Sequence, residues 1–231
     1  MSEVLEFDLA RDEGVRRLNA WLHQHAGAAD PPPVRVLNPD GAHNIAVGAD
    51  APFHIDVLGH AGYYVAGMNK HARVTVHGNA GTGAAENMMS GEVRIKGFAS
   101  NGAGASAHGG LLVVEGDASL RCGISLKGGD IVVGGSVGSF SAFMAQAGRL
   151  VVCGDAGEAL GDSLYEAVIY VKGKVASLGA DARFEDMGPE DIEALGTLLE
   201  RAALSHDPRQ FRRVASARAL YHWNADANQE Y

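Results

Sequence analysis

The chain has 231 residues, which is enough for one hydrophobic core with additions at both ends. Its formal net charge of −9 argues against nucleic acid and against an anionic membrane surface as partners. Two cysteines, an acidic start without a signal-peptide pattern and no apolar run of membrane-spanning length predict a cytoplasmic protein.

Residues 1–33 are predicted to form an N-terminal helix and a proline-rich linker. We expect Asp8 to cap the helix and the helix to run to about Gln24. Its apolar face would comprise Leu9, Val15, Leu18, Trp21 and Leu22. Residues 34–47 are expected to contribute two short extended pieces around a turn at 38–41. The helix is a candidate cap for the open end of whatever repeat follows.

A period of 19 residues organises the segment 34–180. Its glycines are Gly59, Gly78, Gly97, Gly116, Gly135, Gly154 and Gly173. Apolar residues stand two and four positions before each glycine and flank one variable position, an alternation that is typical of a strand with one buried face. Small residues two, three and seven positions after each glycine suit corners with close backbone approach. One strand per period of this length predicts an all-β fold, a single-stranded right-handed parallel β-helix of about seven turns.

The variable position between the two apolar columns changes character along the chain; we call it the outer column. Its members are Asp56, Thr75, Arg94, Val113, Val132, Val151 and Tyr170. The last four would stack into a hydrophobic stripe, which a soluble protein normally covers. Either the chain's own terminal helices or another subunit would cover this stripe, and the sequence leaves both alternatives open.

Residues 181–231 are predicted to form C-terminal helices and a docking tail. Pro189 would open a helix that runs to about Leu204, and a second helix would follow from Asp207. Together with the stripe, this region supplies the residues that we hypothesise to contact a partner. They are Val113, Val132, Val151, Tyr170, Phe211, Arg212, Tyr221 and Trp223.

The residues indicate no catalytic, cofactor-binding or metal site in this chain. The glycines are spaced for a solenoid rather than a phosphate-binding loop, the ten histidines lack ligand spacing, and Cys122 has no assignable base. Polar residues do follow the corner of several turns. They are Tyr63, Tyr64, Asn69, Glu86, Asn87, Asp162, Ser163 and Tyr165. They would either line one lateral face or cap corner backbone groups.

The period-19 pattern, with segments such as GNAG (78–81) and GDAG (154–157), resembles the GXGXG β-helix domain of the glutamate synthase large subunit. The segments YYVAGMN (63–69), AENMMSG (85–91), RCGIS (121–125) and GDSLYEA (161–167) are more specific. They look like the stand-alone form of that domain, which is the β-helix subunit of N-methylglutamate synthase (methylamine–glutamate N-methyltransferase) and of its glutamate-synthase-like relatives.

The resemblance implies a structural subunit of a hetero-oligomer that converts methylamine and glutamate to N-methylglutamate and ammonia. An amidotransferase-like subunit and a synthase-like subunit with FMN and iron–sulfur clusters would carry the chemistry, and no flavin or cluster ligand has a matching position here. Two alternatives remain. One is the C-type β-helix subunit of a formyltransferase/hydrolase or formylmethanofuran dehydrogenase complex. The other is an autonomous carbohydrate-active β-helix enzyme, although Glu86 and Asp162 lie four periods apart, about 19 Å, which is too far for the usual carboxylate pair.

Overall fold

The computed structural model describes residues 4–11 and 14–218. They form one sheet of eleven strands, two α-helices and a short 3-10 helix at Pro208–Gln210. The strands are β1 (Leu5–Asp8), β2 (Val34–Leu37), β3 (His54–Val57), β4 (Arg73–Val76), β5 (Glu92–Ile95), β6 (Leu111–Val114), β7 (Lys127–Val133), β8 (Ala147–Val152), β9 (Val168–Val171), β10 (Ala182–Glu185) and β11 (Arg212–Ser216). The helices are α1 (Val15–Gln24) and α2 (Pro189–Arg201). Neither helix in these ranges is long and apolar enough to cross a membrane.

The predicted solenoid is confirmed. Strands β1 to β9 pair side by side in parallel and in chain order, as one continuous stack. Between β3 and β9, paired residues are 19 positions apart, as Ile55 and Val74 are, except at Lys127, which pairs with Ala147. A second ladder of single bridges runs through the small residues two positions after each glycine, beginning with Ala61, Ala80 and Ala99. These parallel ladders form a β-solenoid of about seven turns.

The interior is built from the two apolar columns of the repeat. Their members are almost completely buried, among them Val74, Val76, Val93 and Ile95. The four-residue strands therefore turn alternate side chains inward, as the period of two requires. Burial of this continuous core across neighbouring turns is the main stabilising contribution, because no single turn can bury its own apolar face.

The glycine column is required by the close approach of successive turns. A Cβ added at Gly78 would lie 2.7 Å from the carbonyl oxygen of Gly59, and one at Gly154 would lie 2.8 Å from that of Gly135. These contacts are too short for a real Cβ atom. The backbones also bond directly along the column, because from Gly97 onward each glycine N–H donates to the preceding glycine's oxygen, as from Gly154 to Gly135 at 2.8 Å.

Each corner of the solenoid places alternate residues in the left-handed region of backbone space. In the turn after β3, Tyr64, Ala66 and Met68 have φ angles of 61°, 53° and 54°. Ala66 is buried, whereas Tyr64 and Met68 are exposed. The corner therefore turns the first and third of its left-handed residues outward and the middle one into the core.

The N-terminal region is partly as predicted. A helix forms, with Leu18 and Leu22 buried in the main core, but it begins at Val15 and Asp8 does not cap it. Asp8 instead ends β1, which pairs in parallel with β2. The alternation of Leu5 and Phe7 is the strand signal that the helical reading overlooked. Of the two extended pieces expected in 34–47, only β2 is a strand.

Of the two helices predicted in the C-terminal region, one is confirmed and the other is wrong. Helix α2 begins at Pro189 as expected and ends at Arg201. The second helix is replaced by the 3-10 turn and by β11, which lies antiparallel between β9 and β10. Phe211 and Val214 are three residues apart, which mimics a helical face. In the structure they enter two different cores, and each is nearly fully buried.

Candidate functional site

Helix α2 covers the hydrophobic stripe of the outer column. The stripe residues pack in one buried cluster with the apolar face of the helix and with Phe211. The members of the stripe are Val113, Val132, Val151 and Tyr170, and those of the helix are Leu195, Leu198 and Leu199. Of the two alternatives, the chain's own helix is therefore the cover. Residues of the stripe, and Phe211, are not on the surface where a partner would meet them.

The remaining residues hypothesised to contact a partner have different positions. Arg212 is exposed, and its guanidinium lies over the ring of Phe184 with 4.5 Å between the guanidinium carbon and the ring centre. Its Nη2 also donates to the carbonyl oxygen of Gly173 at 2.7 Å. Tyr221 and Trp223 lie outside the described residues.

Polar contacts anchor both ends of α2. At its C-terminus, Arg94 Nη1 donates to the carbonyl oxygen of Ala202 at 2.9 Å, which supplies the positive charge that a helix C-terminus favours. At its N-terminus, Asp191 accepts hydrogen bonds from the Tyr170 hydroxyl at 2.7 Å and from the Gly188 N–H at 2.9 Å. The stripe therefore carries a helix that is held by polar groups as well as by packing.

Those contacts shift two pKa values at the N-terminal anchor. Burial and the hydrogen bond to Asp191 raise the pKa of Tyr170. Burial alone would raise the pKa of Asp191. The hydrogen bonds from Tyr170 and the Gly188 N–H, together with the Arg213 guanidinium, outweigh burial and hold that pKa below its ordinary value. The pair is thus arranged as a neutral phenol that donates to an ionised carboxylate.

The two thiols are poorly suited to nucleophilic chemistry. Burial raises the pKa of Cys122 to about 12. Burial also raises the pKa of Cys153 to about 11, despite the opposing charge of Lys172. Both groups are protonated at neutral pH, and the thiolate is the reactive form. Across residues 4–11 and 14–218, no three His, Cys, Asp or Glu residues are grouped so that they could hold a metal ion.

A group of exposed and half-buried apolar side chains lies on the corners that follow β6 and β7. We call it the corner patch, and it comprises Leu120, Ile124, Phe140, Phe143 and Met144. Phe140 and Met144 are 44% and 50% exposed, and the rings of Phe140 and Phe143 meet edge to face at 6.2 Å. Stacking brings the two corners together, since the Ser125 N–H donates to the Phe143 oxygen at 2.7 Å. Apolar side chains left partly in solvent on adjacent corners are characteristic of an interaction surface.

The predicted polar corner residues divide between the two roles left open for them. Asn69 is buried and donates to the carbonyl oxygens of Ala72 and Ser90, so it satisfies corner backbone groups. Tyr64, Glu86 and Asn87 instead line a surface cavity of about 190 Å³. The sequence pattern predicts these residues on one side of the solenoid. It does not predict which side chains of adjacent turns lie together at the cavity.

The sequence also contained an unused signal for the α2 contact. An amphipathic helix with Leu195, Leu198 and Leu199 on one face needs an apolar surface, and the stripe is such a surface. Arg94, the last polar residue before the stripe, was not singled out, although it binds the end of this helix.

Comparison with known proteins provides one informative relative. No family model matches the chain. The chain is 55% identical to protein GlxC of Rhizobium meliloti (strain 1021) over 218 residues, which cover 94% of this chain and 96% of that protein. At this identity and coverage, the chain belongs to the family of protein GlxC.

Proposed function

We propose that this chain is a non-catalytic structural subunit of a glutamate-synthase-like complex. The most specific form of the proposal is N-methylglutamate synthase, which would convert methylamine and glutamate to N-methylglutamate and ammonia. The relationship to GlxC supports the broader statement. The segments at 63–69, 85–91 and 161–167 support the finer one, because they resemble the β-helix subunit of that enzyme.

The observation that carries the proposal is the corner patch. Five apolar side chains lie exposed or half-buried on two adjacent corners of a solenoid whose own helix covers the stripe. A protein that works alone gains nothing from leaving such a cluster in water, since each buried apolar side chain contributes about 1.5–3 kcal/mol. A partner subunit that packs on the patch would recover this energy.

The proposed partners are an amidotransferase-like subunit and a synthase-like subunit that holds FMN and iron–sulfur clusters. This chain would bind no cofactor and would fix the positions of the catalytic subunits relative to each other. Its role would resemble that of a rigid spacer, because a solenoid with continuous ladders transmits position without internal hinges.

Co-purification with the candidate partners tests the proposal. The chain is expressed with the two partner subunits encoded nearest to it, and formation of N-methylglutamate from methylamine and glutamate is measured. The double variant Phe140→Asn, Met144→Asn should lose the complex, since asparagine tolerates the left-handed backbone of both positions while removing apolar surface. Phe98→Asn is the matched control, because Phe98 is 48% exposed but lies outside the patch.

Two results would contradict the proposal. One is a monodisperse chain that turns over a substrate without either partner. The other is a stable complex whose assembly is unaffected by the double variant. Co-purification with a formyl-transferring enzyme instead would overturn the finer assignment and favour the C-type β-helix subunit.

A further inference from the structure

A small surface cavity lies where the corner after β3 meets the corner after β4. It has a volume of about 190 Å³ and is lined by polar, aromatic and thioether side chains. Those that matter here are Asn44, Tyr64, Met68, Glu86 and Asn87. This volume suits a ligand of a few heavy atoms rather than a nucleotide or a sugar chain, whose pockets measure roughly 300–1,000 Å³.

The ring of Tyr64 and the carboxylate of Glu86 converge on the same point. A Cβ added at Gly83 would lie 2.6 Å from two carbons of the tyrosine ring and 2.8 Å from Glu86 Oε2. Any larger residue at Gly83 would displace one of the two groups. The glycine therefore permits an aromatic ring and a carboxylate to sit side by side at the cavity.

The backbone holds these groups in place. Tyr64, Met68 and Asn87 all have left-handed φ angles, between 53° and 61°. The Tyr64 N–H donates to the Thr82 oxygen at 2.9 Å, and the Met68 N–H donates to the Glu86 oxygen at 2.7 Å. The cavity is thus assembled by inter-turn hydrogen bonds and is present before any ligand arrives, which lowers the entropic cost of binding.

The carboxylate of Glu86 lacks a counter-ion. Within the described ranges, no Lys, Arg or His lies at ion-pair distance from it and no side chain or N–H donates to it. Glu86 is half-buried, so its charge is only partly solvated. The net charge of −9 adds to the attraction for a cation.

We propose that this cavity binds a small organic ammonium ion, a primary or N-methylated amine in its protonated form. An aromatic ring attracts an ammonium group through its quadrupole, and the adjacent carboxylate accepts the N–H hydrogen bond. The Met68 side chain offers a polarisable apolar contact for an N-methyl group. A hard metal ion fits less well, because Ca²⁺ takes 6–8 oxygen ligands and the one carboxylate and two asparagine side chains of the cavity fall short of that number.

This inference deepens the proposed function, because a primary amine is the substrate class of the proposed complex, and its choice of ligand class rests on that function. Its test is nevertheless separate, because ligand binding is measured on the chain alone. A scaffold subunit that concentrates an amine would be compatible with it, and so would a chain that has no catalytic partner at all. Failure of the complex to form would leave the binding result unchanged.

The test is a titration of the isotope-labelled full-length chain followed by two-dimensional amide NMR. The probes are methylammonium chloride and tetramethylammonium chloride, with KCl, CaCl₂ and neutral tert-butanol as controls at matched ionic strength where charged. We expect saturable shifts of the Gly67 and Asn87 amides with the two ammonium probes only. Glu86→Gln should weaken binding about tenfold, because a charge-assisted hydrogen bond is lost. Tyr64→Leu should weaken it about threefold, through loss of the ring.

Two variants serve as matched controls. Glu200→Gln removes the same charge from an exposed position on α2 and should leave the affinity unchanged. Tyr64→Phe keeps the ring and should also bind normally. The inference is wrong if potassium or calcium shifts the same amides as strongly as methylammonium, or if Glu86→Gln binds like the unmodified chain. Glu86→Gln preserves size and shape, so its result does not depend on whether Tyr64→Leu folds.

Discussion

The first and second halves of the solenoid share one interior and differ in what lies outside it. In β3 to β5 the outer column carries Asp56, Thr75 and Arg94, which face solvent or polar partners. In β6 to β9 the same column carries the apolar stripe, which lies under α2. The inward columns remain apolar in both halves. The two inward columns of the repeat therefore determine the core. The residue type in the outer column determines whether a turn faces solvent or packs against α2.

The length of α2 explains why the outer column changes from polar to apolar residues between β5 and β6. Thirteen residues make a helix of about 20 Å, and four strands spaced about 4.8 Å apart span roughly 14 Å between first and last. The helix thus crosses β9 to β6 and ends over β5. Arg94 lies on β5 and donates to the terminal carbonyl oxygens of the helix, those of Arg201 and Ala202. The boundary between polar and apolar outer residues is the end of this helix.

The largest effect should come from placing a charge under the helix. Val132→Asp would bury a carboxylate with no partner and should destabilise the protein by about 3–5 kcal/mol. Thr75→Asp introduces the same carboxylate in the same column of the uncovered half and should cost below about 1 kcal/mol. Urea unfolding at pH 7 measures both. Equal losses would show that the two halves are not covered differently.

Substitutions in the glycine column should destabilise both halves of the solenoid to the same extent. Gly78→Ala and Gly154→Ala each force a Cβ to within 2.8 Å of the preceding turn's backbone, and we expect each to cost about 1–3 kcal/mol. Because α2 does not contribute to these contacts, the two losses should agree within about 0.5 kcal/mol. A much larger loss at Gly154 would contradict a shared interior. Thermal and urea unfolding of the two variants provide the comparison.

Removal of the arginine at the boundary should loosen only the covered half. Arg94→Met deletes the hydrogen bonds to the end of α2 and should cost about 2 kcal/mol, the usual contribution of hydrogen bonds to a buried charged group. Lys96→Met, at the position directly after the same strand, removes an exposed ion pair to Glu115 and should cost below about 0.5 kcal/mol.

Thiol labelling can localise the effect of Arg94→Met. Cys153 belongs to the cluster under α2, whereas Cys122 belongs to the interior of the solenoid. Local opening of the helix should therefore accelerate alkylation of Cys153 and leave Cys122 unchanged. Equal acceleration at both thiols would mean that the helix and the solenoid unfold together.

The interior of the solenoid could be predicted because every turn repeats the same local information. Seven glycines and fourteen flanking apolar residues follow the same strand pattern. Because the pattern occurs in seven turns, a chance match in one turn would not change the prediction. The additions at the ends lack this redundancy. β1 and β11 are single strands of four and five residues, and their pairing depends on distant partners that a local pattern does not name.

The surface features were predictable only in part for the same reason. The stripe was visible as a column, but its cover required a match with α2, which is far away in the chain. The cavity beside Tyr64 and Glu86 depends on Gly83, whose role is to leave room rather than to make a contact. In a glycine-rich sequence, nothing distinguishes a glycine that leaves room for a cavity from one that forms a corner.

The smallest expected effect concerns the N-terminal anchor of α2 and its dependence on pH. The folded protein holds the pKa of Asp191 below its ordinary value of 3.8, so the unfolded chain binds this proton more tightly. The anchor's contribution is therefore complete above about pH 5 and is lost as the pH falls through the lowered pKa. Because the group is partly solvated, we expect a contribution below about 1 kcal/mol.

Tyr170→Phe removes the hydroxyl that donates to Asp191 and should reduce this pH dependence without opening a cavity. The unfolding free energy is measured in urea at pH 7, 5 and 3.5 for both proteins. The difference between them should be largest at pH 7 and should shrink toward pH 3.5, where the carboxylate begins to protonate. A constant difference across this range would mean that the phenol stabilises α2 by packing alone. In that case the covered half would differ from the uncovered half only in the apolar residues of its outer column.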